Sequence, residues 1–257
     1  MSVLLLLASL STRAEALEPV LESVDEGVGD WTNLRLVVHG SAGGGAGEIS
    51  NLQTAEGDAR DQIAPRVARL ARAVRVDRTR AVGALLDAGD AVSDRLESNL
   101  SAWEVYEARY YASGNVQLDA AISLQSWLRP ALVGMAHTPE RAAAVGGASG
   151  LVVDARGQTL SCALAPEFFD ASGQHLYGIA DMTQFTVSLH GPVVYVRDPA
   201  DPVAVRRAGE APLFVLPDRV QDSTDLVFSA EVSQAIRSAA ESSEFLLRGN
   251  VVVVVSP

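Results

Sequence analysis

Hydrophobic and polar positions change their period twice in the first half of the chain. Apolar residues alternate from 31 to 39, which predicts a strand. From 54 to 74 and from 79 to 100 they recur at helical spacing, which predicts two amphipathic helices. Alternation returns from 103 to 124 around a Ser-Gly-Asn turn, as in a β-hairpin. One strand, two helices and a hairpin therefore predict an α+β unit over residues 28–132.

Proline and glycine residues modify the two predicted helices. Pro65 lacks a backbone N–H, so it should kink the first helix or mark its true start. Gly83 and Gly89 should each cost the second helix about 1 kcal/mol relative to alanine. We expect both helices to form despite these residues.

A second, mixed α/β unit is predicted over residues 148–257. Two short strand-like runs flank the turn Asp170–Gly173. A helix should begin at Ser229, and the five valines at 251–255 predict a strand buried on both faces of a sheet. The small residues of 134–147 predict a linker between the two units.

Composition excludes some classes of partner. The chain has 257 residues, 48% of them hydrophobic, which is sufficient for a packed core. The formal net charge of -12 argues against binding to nucleic acid, because such surfaces need clustered positive charge. The glycine-rich stretch 41–47 lacks the Lys-Ser/Thr of a phosphate-binding loop, and we interpret it as a connecting loop.

The first 16 residues have the pattern of a signal peptide. A short apolar run is followed by Ala14-Glu15-Ala16, a small-x-small sequence of the kind that signal peptidase cleaves. The alternative is an N-terminal helix that packs its leucines into a core. We expect secretion, with the mature chain starting near Leu17.

No residue pattern predicts catalysis, a cofactor or a metal. The four histidines, His39, His137, His175 and His190, have no ligand spacing and are expected at the surface or at strand ends. Cys162 has no base beside it in the sequence and should be a small buried apolar residue. The protein is therefore expected to be non-enzymatic.

One charged pair is a candidate structural or ligand-binding site. Asp154 and Arg156 follow an apolar strand and are two residues apart, so both should point to the same side. We favour a structural ion pair, because a buried arginine needs a partner and Asp154 is adjacent. A small-ligand site at this pair is the alternative.

Several stretches together resemble a family of bacterial envelope proteins. They are GLVVDARG at 150–157, ALAPEFFD at 163–170, RRAGEAPLFV at 206–215 and FLLRGNVVVVV at 245–255, preceded by DWTN at 30–33, AEGDAR at 55–60 and VRVD at 74–77. In order and spacing they are similar to the family that includes the flagellar accessory proteins FlgP and FlgT. Unlike that family, this chain has no lipid-acceptor Cys after its apolar run, and Pro65 lies in the first helix.

The resemblance implies a location and a role. It implies a periplasmic or outer-membrane-associated protein, with peripheral membrane association, that acts through protein partners in an oligomer or larger envelope assembly. The alternative is a periplasmic module that binds or senses a small ligand. An assembly protein should have an unpaired strand edge or an apolar surface patch, whereas a binding module should have a closed concave pocket.

Overall fold

The computed structural model describes residues 18–24, 27–43, 49–136 and 147–256. In the first unit, five strands form an antiparallel sheet in the order β1-β2-β3-β5-β4. The strands are β1 Leu21–Val24, β2 Gly27–Asp30, β3 Arg35–Gly43, β4 Glu104–Tyr110 and β5 Asn115–Ser123. The predicted hairpin is confirmed as β4 and β5. The α+β class is confirmed as well.

Helices cover one face of this sheet. They are α1 Ile49–Asp61, α2 Ile63–Ala73, α3 Val82–Leu86, α4 Ala91–Ser98 and α5 Leu124–Met135. Helix α1 lies against β3 so closely that a Cβ atom on Gly40 would sit 2.0 Å from the carbonyl oxygen of Ala59. Only glycine allows this contact, and it fixes the distance between helix and sheet.

Both helices predicted for the first unit are divided in the structure. The helix expected over 79–100 is interrupted because Gly89 has a φ of 65°, and Asp90 then caps α4 through the amides of Val92 and Ser93. The helix expected over 54–74 divides at Gln62, so Pro65 lies in the first turn of α2, one of the two outcomes expected for it.

The strand and linker boundaries were also wrong. The strand expected over 31–39 starts at Arg35, because 31–34 form a turn in which Leu34 has a φ of 49°. Helix α5 was not predicted, and it includes the first residues of the expected linker up to Met135.

The second unit contains a four-stranded parallel sheet with the order β10-β6-β13-β9. Its strands are β6 Leu151–Asp154, β9 Val194–Val196, β10 Leu213–Val215 and β13 Val251–Val254. The valine strand β13 is buried and pairs on both sides, as its continuous apolar run predicted.

A smaller mixed sheet completes the unit in the order β11-β12-β7-β8. Its strands are β7 Phe168–Asp170, β8 His175–Tyr177, β11 Arg219–Gln221 and β12 Asp225–Phe228. The helices are α6 Gln184–Leu189, α7 Pro202–Ala208, α8 Ala230–Ser242 and a single 3₁₀ turn at Ile179–Asp181. Ser229 caps α8 by accepting a hydrogen bond from the amide of Val232, as expected.

The two faces of the parallel sheet pack against different partners. On one face, Val152, Val194 and Val252 contact the small residues Ala204 and Ala208 of α7. On the other face, side chains such as Val153, Tyr195 and Val253 join the main hydrophobic core. That core also contains the helices and inner sheet face of the first unit, so the two units share one core.

Polar contacts reinforce the junction between the units. Thr32 Oγ donates to the carbonyl of Tyr195 at 2.8 Å, and the rings of Trp31 and Tyr195 meet edge to face at 5.9 Å. The amides of Leu164 and Ala165 donate to the carbonyls of Arg75 and Val76 at 3.0 and 2.7 Å. The units are therefore joined by main-chain bonds as well as by side chains.

Some predictions concern residues outside the described ranges. They are the signal peptide at 1–16, most of the glycine-rich loop at 41–47, His137 and most of the expected linker. Within the described ranges, no helix combines the length and the apolar character needed to span a bilayer.

Candidate functional site

The Asp154–Arg156 pair lies where β6 ends, with Asp154 as the last residue of the strand and Arg156 in the turn that follows. Arg156 Nε lies 2.8 Å from Asp154 Oδ1, and Nη2 lies 2.5 Å from Oδ2. The hydrogen bond from Arg156 lowers the pKa of Asp154 below its ordinary value, although partial burial opposes this shift. Half of the Arg156 side chain, 50%, is exposed, so the pair is a surface ion pair and not the buried pair that the structural hypothesis assumed.

The pair marks the carboxyl edge of the parallel sheet, where ligands bind in many open α/β sheets. A groove of about 510 Å³ runs there between β10 and the start of α8. We call it the β10 groove; it is lined by Asp154, Leu213, Phe214, Val215, Leu216, Glu231, Val232 and Ala235. Its walls are mostly apolar, with two carboxylates at the rim.

Strand β10 lies at one edge of this sheet, and none of the strands in the described ranges pairs with its outer side. The amide of Leu213 donates to the carbonyl of Gly150 at 2.9 Å, on the side of β6. In a parallel ladder successive residues turn their main-chain groups to opposite sides, so the N–H and C=O of Phe214 point outward. The side chains of Phe214 and Leu216 are 62% and 64% exposed. The edge therefore offers main-chain hydrogen bonds and apolar surface together.

Proline residues limit this edge to a short segment. Pro212 and Pro217 flank the four residues from Leu213 to Leu216. Proline cannot donate to a ladder and protects open edges from unspecific pairing. A partner strand can therefore pair with only a few residues here. This restricts the number of registers in which it can align with β10.

The β10 groove was not predicted from the sequence. The signal was present in PLFVLP at 212–217, an apolar run bounded by prolines. Its position beside β6 and α8 depends on pairing across some sixty residues, as in the register Phe214↔Val152. A one-dimensional pattern carries no information on such a pairing.

The described histidines lie at three separate places. His39 Nδ1 is 2.7 Å from Asp119 Oδ1 on the first sheet, and His175 Nε2 is 2.8 Å from Asp181 Oδ2 after β8. The hydrogen bond to Asp181 raises the pKa of His175, whereas burial lowers the pKa of His190. In the described part of the chain, no three His, Cys, Asp or Glu residues are arranged to hold a metal ion.

Cys162 is buried, in agreement with its interpretation as a small apolar residue. Burial raises the pKa of its thiol far above the ordinary value, so the reactive thiolate is disfavoured at neutral pH. This environment is typical of an inert structural cysteine.

The C-terminal unit is similar to a known domain family. Residues 150–257 match the model of the family described as the second domain of Treponema pallidum Tp0624. The match contains all four strands of the parallel sheet and the whole β10 groove. A search of curated proteins gives no match. The resemblance to FlgP and FlgT stays a prediction.

Proposed function

We propose that this protein is a non-enzymatic component of the bacterial cell envelope that acts by binding another protein. The observation that supports this proposal is the open edge of β10 beside an apolar groove. The β10 groove beside Asp154 is a cleft open to solvent, which favours protein contact over the closed pocket expected of a small-ligand module at Asp154 and Arg156. Association with the flagellum or outer membrane belongs to the same proposal, as the sequence resemblance implies.

The partner should supply an extended strand that pairs with β10. The outward N–H and C=O of Phe214 would pair with this strand, and its apolar side chains would contact the lining of the β10 groove, which includes the exposed side chains of Phe214 and Leu216. Glu231 at the rim favours a basic residue in the partner segment. The fit thus requires an apolar segment with a positive charge.

A second copy of this chain fits the edge less well. Pairing of two β10 edges would bring two acidic rims together, each on a chain of net charge -12. Like charges facing one another weaken such an interface. We therefore assign the edge to a different protein.

The test compares Phe214→Glu with the control Val205→Glu, another exposed apolar residue, which lies on α7 outside the groove. Wild-type and variant chains are expressed in the native host, and the size of the species in the envelope fraction is measured. We expect wild type and Val205→Glu in a complex larger than a monomer, and Phe214→Glu as a free monomer.

Two results would overturn the proposal. One is a wild-type protein that is monomeric or absent in the envelope fraction. The other is a Phe214→Glu variant that migrates with wild type although its melting curve shows it to be folded. Self-association of the purified wild type, measured by sedimentation velocity, would reject a different partner and assign the edge to a second copy.

A further inference from the structure

Two neighbouring cavities meet at a pair of arginines on the amino side of the parallel sheet, opposite to the β10 groove. Their volumes are about 400 Å³ and about 440 Å³, within the range of small-molecule sites. Arg206, Arg207 and Asn250 line both of them. We call the two cavities together the arginine cleft.

The larger cavity carries an excess of positive charge. Besides Arg206 and Arg207 it is lined by Arg248, whose Nη2 lies 2.8 Å from the carboxylate of Glu244. Three arginines thus face one carboxylate in a chain whose net charge is -12. Positive charge concentrated in a cleft of an acidic protein attracts anions locally.

Among the described residues, main-chain carbonyls and no carboxylate hold Arg207 in place. Its Nε donates to the carbonyl of Gly249 at 2.5 Å, and its Nη2 donates to the carbonyl of Gly191. Burial lowers its pKa to about 10, so the guanidinium stays protonated at neutral pH. A buried cation that is oriented only by main-chain carbonyls keeps its full charge for an incoming anion.

Arg206 provides a second charge that is not neutralised. It is exposed in the last turn of α7, and its side chain makes no hydrogen bond or ion pair with any other residue of the described ranges. A head group that satisfies both arginines needs more than one negative charge. A phosphate monoester carries about -1.5 to -2 at pH 7 and matches the fork of an arginine with two oxygens.

The smaller cavity adds an apolar wall. Its apolar lining consists of Leu34, Leu189, Val193, Val194 and Val203. Leu189 is 59% exposed, so much of this wall is open to solvent. A ligand that extends from the arginines into this cavity should therefore have an apolar body.

We propose that the arginine cleft binds an amphiphilic phosphate, with the phosphate at Arg206 and Arg207 and the apolar body against Leu189 and Val203. This is a second binding site, independent of the β10 edge. It places ligand binding on the opposite edge of the sheet from Asp154 and Arg156, where the small-ligand alternative had been expected.

His190 lines the smaller cavity and reports on the charge in the cleft. Its pKa is lowered by burial first and by the charge of Arg207 second. A bound phosphate offsets that positive charge, so binding should raise the pKa of His190. The ring protons of His190 give this readout directly in an NMR titration.

The experiment titrates the full chain with octyl phosphate below its micelle concentration, at constant ionic strength. We expect saturable binding, a rise in the pKa of His190, and at least tenfold weaker binding for Arg206→Gln. Arg219→Gln, an exposed arginine on β11 outside the cleft, is the matched control and should bind as wild type does. If Arg206→Gln is poorly folded, the same binding measurement is made with Arg248→Gln, which removes another positive charge from the larger cavity.

Flotation with vesicles that contain phosphatidic acid, a lipid phosphate monoester, or with vesicles of phosphatidylcholine alone identifies the source of the phosphate. Binding to the anionic vesicles that is lost in Arg206→Gln assigns a lipid head group. Binding of octyl phosphate without flotation assigns a soluble phosphorylated compound. Equal binding by wild type and Arg206→Gln, or an unchanged pKa of His190 at saturation, overturns the proposal.

Discussion

Two carboxylates of the second unit accept arginine hydrogen bonds in different surroundings. Asp154 meets Arg156 at the surface, where solvent screens the pair. Asp170 accepts hydrogen bonds from Arg237 at 2.7 Å and from the hydroxyl of Ser172 at 2.6 Å, with only 11% of its side chain exposed. These bonds hold the pKa of Asp170 far below its usual range. Asp170 is therefore the more important of the two for stability.

Asp170→Asn should make the unfolding free energy less dependent on pH below pH 4. Because the pKa of Asp170 is lower in the folded state, its contribution is complete above the unfolded pKa of about 3.9 and is lost as the pH falls through the folded value. We expect the unfolding free energy of wild type to fall more steeply below pH 4 than that of the variant, as measured by urea denaturation.

Arg156→Ala is the control for this experiment. It removes an exposed pair and should leave the melting temperature near that of wild type. Two results would contradict the larger contribution of Asp170 to stability. One is a large loss of stability in Arg156→Ala, and the other is an unfolding free energy that falls equally steeply below pH 4 in wild type and in Asp170→Asn.

At the scale of elements, the contact between α1 and β3 depends on a missing side chain. Gly40→Ala would force a Cβ against the carbonyl oxygen of Ala59, so helix and strand would have to separate. We expect a loss of about 1–3 kcal/mol or more in the unfolding free energy. Denaturant unfolding followed by circular dichroism measures it.

Gly57, which lies on α1, is the matched control. A Cβ there meets no atom within 4 Å, so alanine should stabilise α1 by about 0.5–1 kcal/mol. The two substitutions are chemically identical and opposite in expected sign. If both variants have the same unfolding free energy, the close contact at Gly40 does not determine the distance between α1 and the sheet.

Elements with a strong local signal were predictable, and their arrangement was not. The valines of 251–255 and the alternation of 103–124 specify strands by themselves. Gly89 was weighed as a cost to a helix, but its positive φ ends the segment altogether. Arg207 and Gly249 lie 42 residues apart, and only the fold brings them together in the arginine cleft.

At the scale of the whole molecule, the common core predicts that the two units remain associated after the chain is cut. The test inserts a protease site between 136 and 147 and adds the protease after the chain has folded. We expect both fragments to elute together in gel filtration, because Thr32, Arg75 and Val76 bond to the second unit and the apolar core is continuous.

Unfolding gives a second measurement of this coupling. The intact chain should melt in one transition, with agreement between calorimetric and van't Hoff enthalpies. Fragments that separate in native buffer, or two resolved transitions, would show that each unit is stable alone.

The strand order has a consequence for synthesis. In the parallel sheet, β13 is the last strand along the chain, yet it lies between β6 and β9. While residues 251–254 remain in the ribosomal exit tunnel, β9 has no neighbour in this sheet and β6 has only β10. The parallel sheet of the nascent unit therefore cannot form completely until these valines have left the tunnel. This delay would keep the unit accessible to a translocase or a chaperone until residue 254 has left the tunnel.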